Sequence, residues 1–577
     1  MISNRPKLFL NLYWHMHQPD YRDLATNEYV LPWTYLHAIK DYSDMAFHLE
    51  ANPKARVTFN FVPILLEQLE DYTLQFKHNK IRDPLLALLA EEDLDGISST
   101  QCRLIVESCF KSHHEKMLSP FPHYQRLFQL YKLVDSMADS DEFHYLNAQY
   151  KADLLVWYHL AWCGESLRRN NHVVQSLMTK GVLFTLEERQ QLFKVVGETV
   201  SGLIPRYKAL MDRKQIEIST TPYYHPILPL LLDFKSTLDA MPDAPLPENE
   251  KYLGGHARAV AHVVSANKFH KTHFGGVPRG MWPAEGGVSH AALSLMAEYG
   301  VEWAATGQSV LANSLHKSQL DASNKMEYLY QPYRVTNGKR DILCFFRDDS
   351  LSDKIGFEYS GMYARDAVND FIHALEHIHH SNTSAHSKVV SVILDGENAW
   401  EYYPYNGYHF LSELYAALVN HPDIEMSTFS DTVDMYQSPA AQTVGLSAPV
   451  LPEVAAGSWV YGTFSTWIGS KDKNLAWDLL CEAKKTYDSV LSKGQLDAKQ
   501  LKACEHQLAI CEGSDWFWWF GDYNSSDSVA SFDLLYRRNL INLYTLLQQP
   551  VPDALHVSIS AGGGNAENSG TMRRGQA

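Results

Sequence analysis

The stretch VVSVILDGENAW (389–400) decides the fold. Five of its first six residues are apolar, three are valine, and the run breaks off at Asp395-Gly396-Glu397. A strand buried on both faces has that composition, and its abrupt polar end marks where the strand leaves a parallel sheet for a loop. Working outward, the same pattern recurs in LFLNLYWHMH (8–17), VTFNF (57–61), QIEIS (215–219) and GMW (280–282), and again at Val301–Ala305 and Ile342–Phe346. Helical spacing fills most of the intervals, as in Ile64–Tyr72, Ser289–Tyr299 and Arg365–His379. Short apolar strands alternating with helices predict βα units and a parallel sheet, and this many strands in the first 400 residues predicts an α/β barrel, closed or nearly so. The interval from about 75 to 212 is rich in Leu, Ala, Glu and Lys and reads as a long helical insertion.

After about residue 430 the pattern changes. Trp477, Leu480, Ala483, Tyr487 and Leu491 share one face of a helix over Asn474–Leu491, which Gly494 stops. Leu501, Cys504, Leu508 and Cys511 repeat that period, and Phe532–Leu547 predicts a third helix. The expected organisation is a barrel domain over 1–430, a helical domain over 431–557 and, from Ser558, a Gly/Ser/Asn-rich tail (558–577) expected to be disordered.

Composition excludes several classes. The 577 residues carry 67 acidic against 50 basic side chains, a net charge of −17, and no basic block offsets it, so nucleic acid is not an expected partner. No stretch approaches the roughly 18 apolar residues of a membrane span. The N-terminus has no small-residue cleavage site, and the seven cysteines form no CxxC pair, so a cytoplasmic protein with reduced thiols is expected. Aromatics make up 12% of the chain, with 13 Trp and 32 Tyr. Rings with an apolar face and a polar edge suit a sugar, although a large core also needs large residues.

Working groups of a parallel barrel sit where strands end. Four strand ends carry polar clusters: His15 and His17; Glu217 with TPYYHP (221–226); Trp282 through Glu285 and Gly287; and Asp395, Glu397 and Trp400. A carboxylate against aromatic surface holds its proton, whereas one in a polar setting stays ionised. Glu285 and Asp395 together therefore suit glycosidic cleavage, which needs one acid and one nucleophile or base. Glu397 competes with Asp395, being two residues along the same strand face. The HxH pair admits a second reading, a zinc-type site in a metal-dependent sugar hydrolase or deacetylase, and a third in which both histidines bond neighbouring strand ends. Asp348, Asp349 and Asp353 form either a calcium site or a solvated acidic loop.

In order and spacing, HMHQPDY (15–21), QIEISTTPYYHPILPLL (215–231), GMWPAEGGVS (280–289), FFRDDSLSDKIGFEYS (345–360), ILDGENAWEYYPYNG (393–407), GSWVYGTFSTWIG (457–469) and EGSDWFWWFGD (512–522) resemble glycoside hydrolase family 57. The resemblance runs from about residue 8 to 550 and is closest to the α-amylase and amylopullulanase-like branch. It implies an incomplete TIM-type (β/α)7 barrel, with a C-terminal helical domain that completes the substrate cleft. It also implies retaining hydrolysis of α-glucans through α-1,4 and perhaps α-1,6 links, with no required cofactor. A 4-α-glucanotransferase or branching enzyme with the same catalytic pair is the alternative. By motif match Glu285 is the nucleophile and Asp395 the general acid/base. His15, His17 and Glu217 would contact the sugar, Trp282 would flank the nucleophile, Trp400 or Tyr402 would stack near the acid, and Trp459 and Trp467 would line acceptor subsites. Pro283-Ala284 departs from the leucine-proline common among relatives, which puts the shape of that loop in question.

Overall fold

The computed structural model describes residues 6–563 apart from 136–142, 144–145, 382–385, 440, 442–445 and 495. Seven parallel strands make the barrel: β1 (Leu8–Met16), β2 (Val57–Phe61), β3 (Ile216–Thr220), β4 (Gly280–Met281), β5 (Trp303–Gly307), β6 (Asp341–Arg347) and β7 (Val389–Asp395). They pair in chain order, and β7 returns to lie along β1 from Phe9↔Val389 to His15↔Asp395. Between β6 and β7 the ring closes through the single pairing Ser391↔Arg347. Two outer strands were not legible as such in the sequence: Tyr333–Thr336 runs antiparallel to β6, and Ile424–Met426 lies parallel to β1.

Residue parity on β1 shows why the ring forms. Leu8, Leu10, Leu12, Trp14 and Met16 face the surrounding helices in the main core, while Tyr13 faces inward in a second cluster with Trp282, Trp303, Phe345 and Phe429. Gly280 lets that interior fill, because a Cβ there would lie 1.8 Å from the Trp303 ring. The helix Phe429–Gln437 plugs the floor: Phe429 stacks on Trp303 at 4.6 Å, and Thr432 bonds Asn11.

The segment between β2 and β3 is helical, with Pro63–His78, Ser99–Ser108, Ala148–Trp162 and Leu186–Asp212 among its helices. Beyond the barrel, helices Lys471–Ser492, Ala498–Cys511 and Ser526–Leu546 pack together. Trp477, Leu480, Ala483 and Tyr487 are buried as their spacing predicts, but Leu491 lies one turn too far along and is 41% exposed. The tail departs from expectation at its start. Ile559 is buried and its amide donates to Asp533 at 2.7 Å, and the Gly563 amide donates to the Asn524 carbonyl, so 558–563 is tied to the third helix. The remainder, 564–577, lies outside the described residues. Among the described residues no helix is long and apolar enough to cross a membrane.

Candidate active site

A cavity of about 140 Å³ opens at the carboxyl ends of the strands. Its walls include His15, His17, His225, Glu285, Arg347, Asp395, Glu397 and Trp459 from the sequence motifs, and Asp515, Trp518 and Trp519 from the C-terminal unit. Glu285 and Asp395 are thus brought to one space by β4 and β7. Asp395 is the last residue of its strand, level with His15, and receives the Asn398 side-chain amide at 3.0 Å. Glu285 sits in the turn Ala284–Gly286 with left-handed backbone (φ 58°), a conformation that costs a non-glycine residue energy and aims its side chain back over the strand end.

The two carboxyls are electrostatically distinct. Glu285 has only two long donors, Trp459 Nε1 at 3.4 Å and the Ser514 hydroxyl at 3.3 Å. Burial, then the charges of Asp515 and Asp395, push its pKa up to about 8. Burial also raises Asp395, to about 6, against the pull of Asn398, His17 and Arg347. The pair therefore holds a proton near neutrality. Glu397 is 2% exposed and turns behind the cleft, accepting the His17 backbone amide at 3.2 Å and the Gln18 amide at 3.3 Å. Burial and the charge of Asp395 hold its pKa well above the usual range. Glu397 anchors the end of β1.

Three imidazoles form one side of the cavity. His225, from the TPYYHP segment, stacks on His17 at 3.8 Å and on His15 at 5.2 Å between ring centroids. Burial, followed by the neighbouring His17, lowers His15 to about 3 and His225 well below the ordinary value, so both are neutral. His15 Nδ1 lies 2.7 Å from Asn60 Oδ1, His17 Nε2 is 2.8 Å from Asp515, and His225 Nδ1 is 2.8 Å from Ser514 Oγ.

These contacts show which residues a metal reading would have to use. Among the described residues one group of candidate ligands converges, His17, His225 and Asp515, with ligand atoms within 4.8 Å of one another. It is not the HxH pair, because His15 is turned to Asn60. The His17 and His225 rings are stacked face to face, and His17 Nε2 meets Asp515 at 2.8 Å. The Asp348/Asp349/Asp353 cluster is likewise committed to protein partners. Arg347 bonds Asp349 and Asp353 at 2.8 and 2.7 Å, and Asp348 caps the following helix at the Leu351 amide.

Five expected site residues are not brought to the cavity. Glu217 lies one layer down, level with Thr58 and Tyr13, where it accepts from Trp303 Nε1 at 2.9 Å, from the Ser430 amide at 2.9 Å and from Thr58 at 3.3 Å. Trp282 is fully buried among Tyr13, His15 and Trp459. Trp400 packs on Trp14 outside the ring and donates to the Gly396 carbonyl, and Tyr402 meets His113 of the insertion. Trp467 is buried in the C-terminal core. Of the two expected acceptor-site tryptophans only Trp459 reaches the cavity, with the Arg347 guanidinium 5.5 Å from its ring centroid. The residues missed were His225, Arg347, Ser514 and Asp515. Each lies in a motif already singled out, but no spacing rule joins His225 to a serine 289 residues away.

The C-terminal contribution is locked in place. Glu512 is fully buried and receives both Arg258 (2.8 and 2.9 Å) and His262 (2.7 Å) from the helix Gly255–Phe274, with Tyr252 donating at 2.6 Å. Those charges outweigh burial and hold Glu512 down at about 2. The Ser514 amide then donates to the His225 carbonyl at 2.9 Å, which sets Asp515 over the histidines.

A closed parallel barrel whose strand ends gather acidic side chains under aromatic rings has the architecture of a barrel glycoside hydrolase. The family model for glycosyl hydrolase family 57 matches residues 11–446, and the chain belongs to that family. Similar solved structures include a family 57 branching enzyme from Thermococcus kodakaraensis in complex with glucose. It is 12% identical, with a TM-score of 0.55 over 93% of this chain and 88% of that one. An α-amylase from Thermotoga maritima is 14% identical, with a TM-score of 0.55 over 94% and 93%. A family 57 branching enzyme from Pyrococcus horikoshii is 14% identical, with a TM-score of 0.54 over 96% and 97%. At these identities the likeness establishes the fold. No curated protein matches the chain.

Proposed function

We propose that this protein is a retaining α-glucan hydrolase of α-amylase or amylopullulanase type, with Glu285 as nucleophile and Asp395 as general acid/base. One observation carries the reading: the two carboxyls line the same aromatic-walled cavity, where burial raises the proton affinity of both and the charge of Asp395 adds to that of Glu285. Three stacked imidazoles beside them, of which burial keeps His15 and His225 neutral, supply ring nitrogens for a polyol. Glu285 attacks the anomeric carbon while Asp395 protonates the leaving oxygen, and Asp395 then deprotonates the water that releases the glucosyl enzyme. In the empty cleft the proton is held more tightly on Glu285, the reverse of these roles. Positive charge developing on the sugar beside Glu285 favours its ionised form. The roles rest on the motif match and on that charge.

The working state is singly protonated. As pH falls through about 6 the pair gains its second proton, and as pH rises through about 8 it loses its last. The expected kcat/KM profile is a bell with limbs near those values. Incubation with maltoheptaose and with pullulan, followed by separation of products by size, tests the activity. Hydrolysis gives only shorter sugars, and products longer than the input replace this reading with a glucanotransferase or branching enzyme. Azide tests the roles: Glu285→Ala should yield a glycosyl azide of inverted configuration, and Asp395→Ala one of retained configuration. The opposite pattern exchanges them.

A further inference from the structure

The histidines and the nucleophile meet two residues that lie beyond the barrel, and hydrogen-bond polarity fixes how. In the working state Glu285 is the ionised nucleophile and only accepts, so the single Ser514 hydroxyl proton then points to Glu285 Oε1 at 3.3 Å. Ser514 Oγ must then accept from His225, 2.8 Å away, which places the ring proton on Nδ1 and leaves Nε2 bare. His225 Nε2 is indeed buried without a partner. Asp515 imposes the opposite tautomer on His17: its carboxylate accepts from Nε2–H at 2.8 Å, and His17 Nδ1 is left buried and unpartnered. Two adjacent rings with opposite tautomers each present a lone pair, an arrangement that fits hydroxyl hydrogens and that the barrel's own residues do not enforce.

We propose that Ser514 and Asp515 are positioning residues of the catalytic cleft, fixing the tautomers of His225 and His17 and, through Ser514, steering the carboxyl of Glu285. The inference rests on the glucan-hydrolase reading above. The titratable and charged groups that line the cavity with Glu285 are His15 of β1, His17 and Tyr21 just beyond it, His225 after β3, Arg347 from β6, Asp395 from β7, Glu397 and Asp515. Of these, Asp515 contributes the largest charge effect on Glu285.

The test measures kcat, KM and the pH profile on maltoheptaose for full-length Ser514→Ala, Asp515→Asn and Asp515→Leu, with Tm recorded for each. A nucleophile displaced by about 1 Å from its attack geometry loses about 10²-fold in rate. Ser514→Ala is therefore expected to lower kcat by about that factor with KM nearly unchanged. Asp515→Asn still accepts from His17 through its amide oxygen, so kcat should stay within about tenfold while the alkaline limb of kcat/KM moves to lower pH. Asp515→Leu leaves His17 without an acceptor and should lose at least another tenfold, beyond what the asparagine restores. Folded variants with wild-type kcat and unmoved limbs would overturn the proposal. So would an equal loss in Asp515→Asn and Asp515→Leu with no limb shift, which is the mark of a packing role alone. A wild-type protein that leaves maltoheptaose intact would instead remove the hydrolase reading.

Discussion

The floor and the rim of the barrel each hold a glutamate, and the two are treated oppositely. Glu217, on the floor, is supplied with donors from Trp303, Ser430 and Thr58, which oppose the rise in pKa that burial causes. Glu285, on the rim, has two donors at the limit of hydrogen-bond distance and two other carboxylates pressing on it. A carboxylate surrounded by good donors is a structural strut, whereas one short of donors and crowded by like charge stays reactive. The two sit on neighbouring strands, and the difference lies in height along the barrel.

The largest effect should follow from removing the reactive member. Glu285→Ala is expected to lower kcat by about 10⁴-fold or more without unfolding the protein, as steady-state assays beside thermal melts would show. Removing the strut should do the reverse. Glu217→Ala leaves four donors in the barrel unanswered and should cost about 2–4 kcal/mol in urea unfolding, with kcat per folded molecule close to wild type. If Glu217→Ala instead abolishes turnover in stable protein, the contrast between floor and rim fails. A smaller effect concerns stability at the rim. Glu285 binds its proton more tightly folded (about 8) than unfolded (near 4.5), so stability falls as pH rises between those values. Glu285→Gln should be more stable than wild type by at most about 3 kcal/mol at pH 7 and by little at pH 5. A denaturant series at both pH values checks the sign. The smallest change is Trp459→Phe, which keeps a ring but removes one donor to Glu285. About a tenfold drop in kcat is expected, corresponding to one hydrogen bond.

Much of this was legible from the chain. Most of the barrel strands stand out as apolar runs, because burial on both faces favours apolar sequence, whereas Ile216–Thr220 carries Glu217 in its midst. Asp395 and Glu285 stand out as carboxyls just past such runs. Height within the strand was legible too, but only in retrospect. Glu217 is the second residue of β3, two places below Ser219, which is level with Asn60, and at about 3.3 Å per residue that places it about 7 Å beneath the rim. Trp282, Trp400 and Trp467 show the opposite difficulty, since a tryptophan beside a catalytic motif has the same composition whether it faces sugar or core. His225 and Asp515 could not be paired from sequence, because their meeting depends on how the C-terminal helices dock. The acidic run at 348–353 was ambiguous because its counter-charge, Arg347, lies immediately before it and only the loop's curl brings them together.

The buried Glu512 has a consequence for how this chain can be divided. The match to the family ends at residue 446, and a protein shortened there would keep both reactive carboxyls on its strands. It would also leave Arg258 without the Glu512 counter-ion and His262 without its hydrogen-bond partner. Such a fragment has cause to aggregate before any assay begins, so the barrel and its helical cap are best treated, in engineering or in descent, as one indivisible unit.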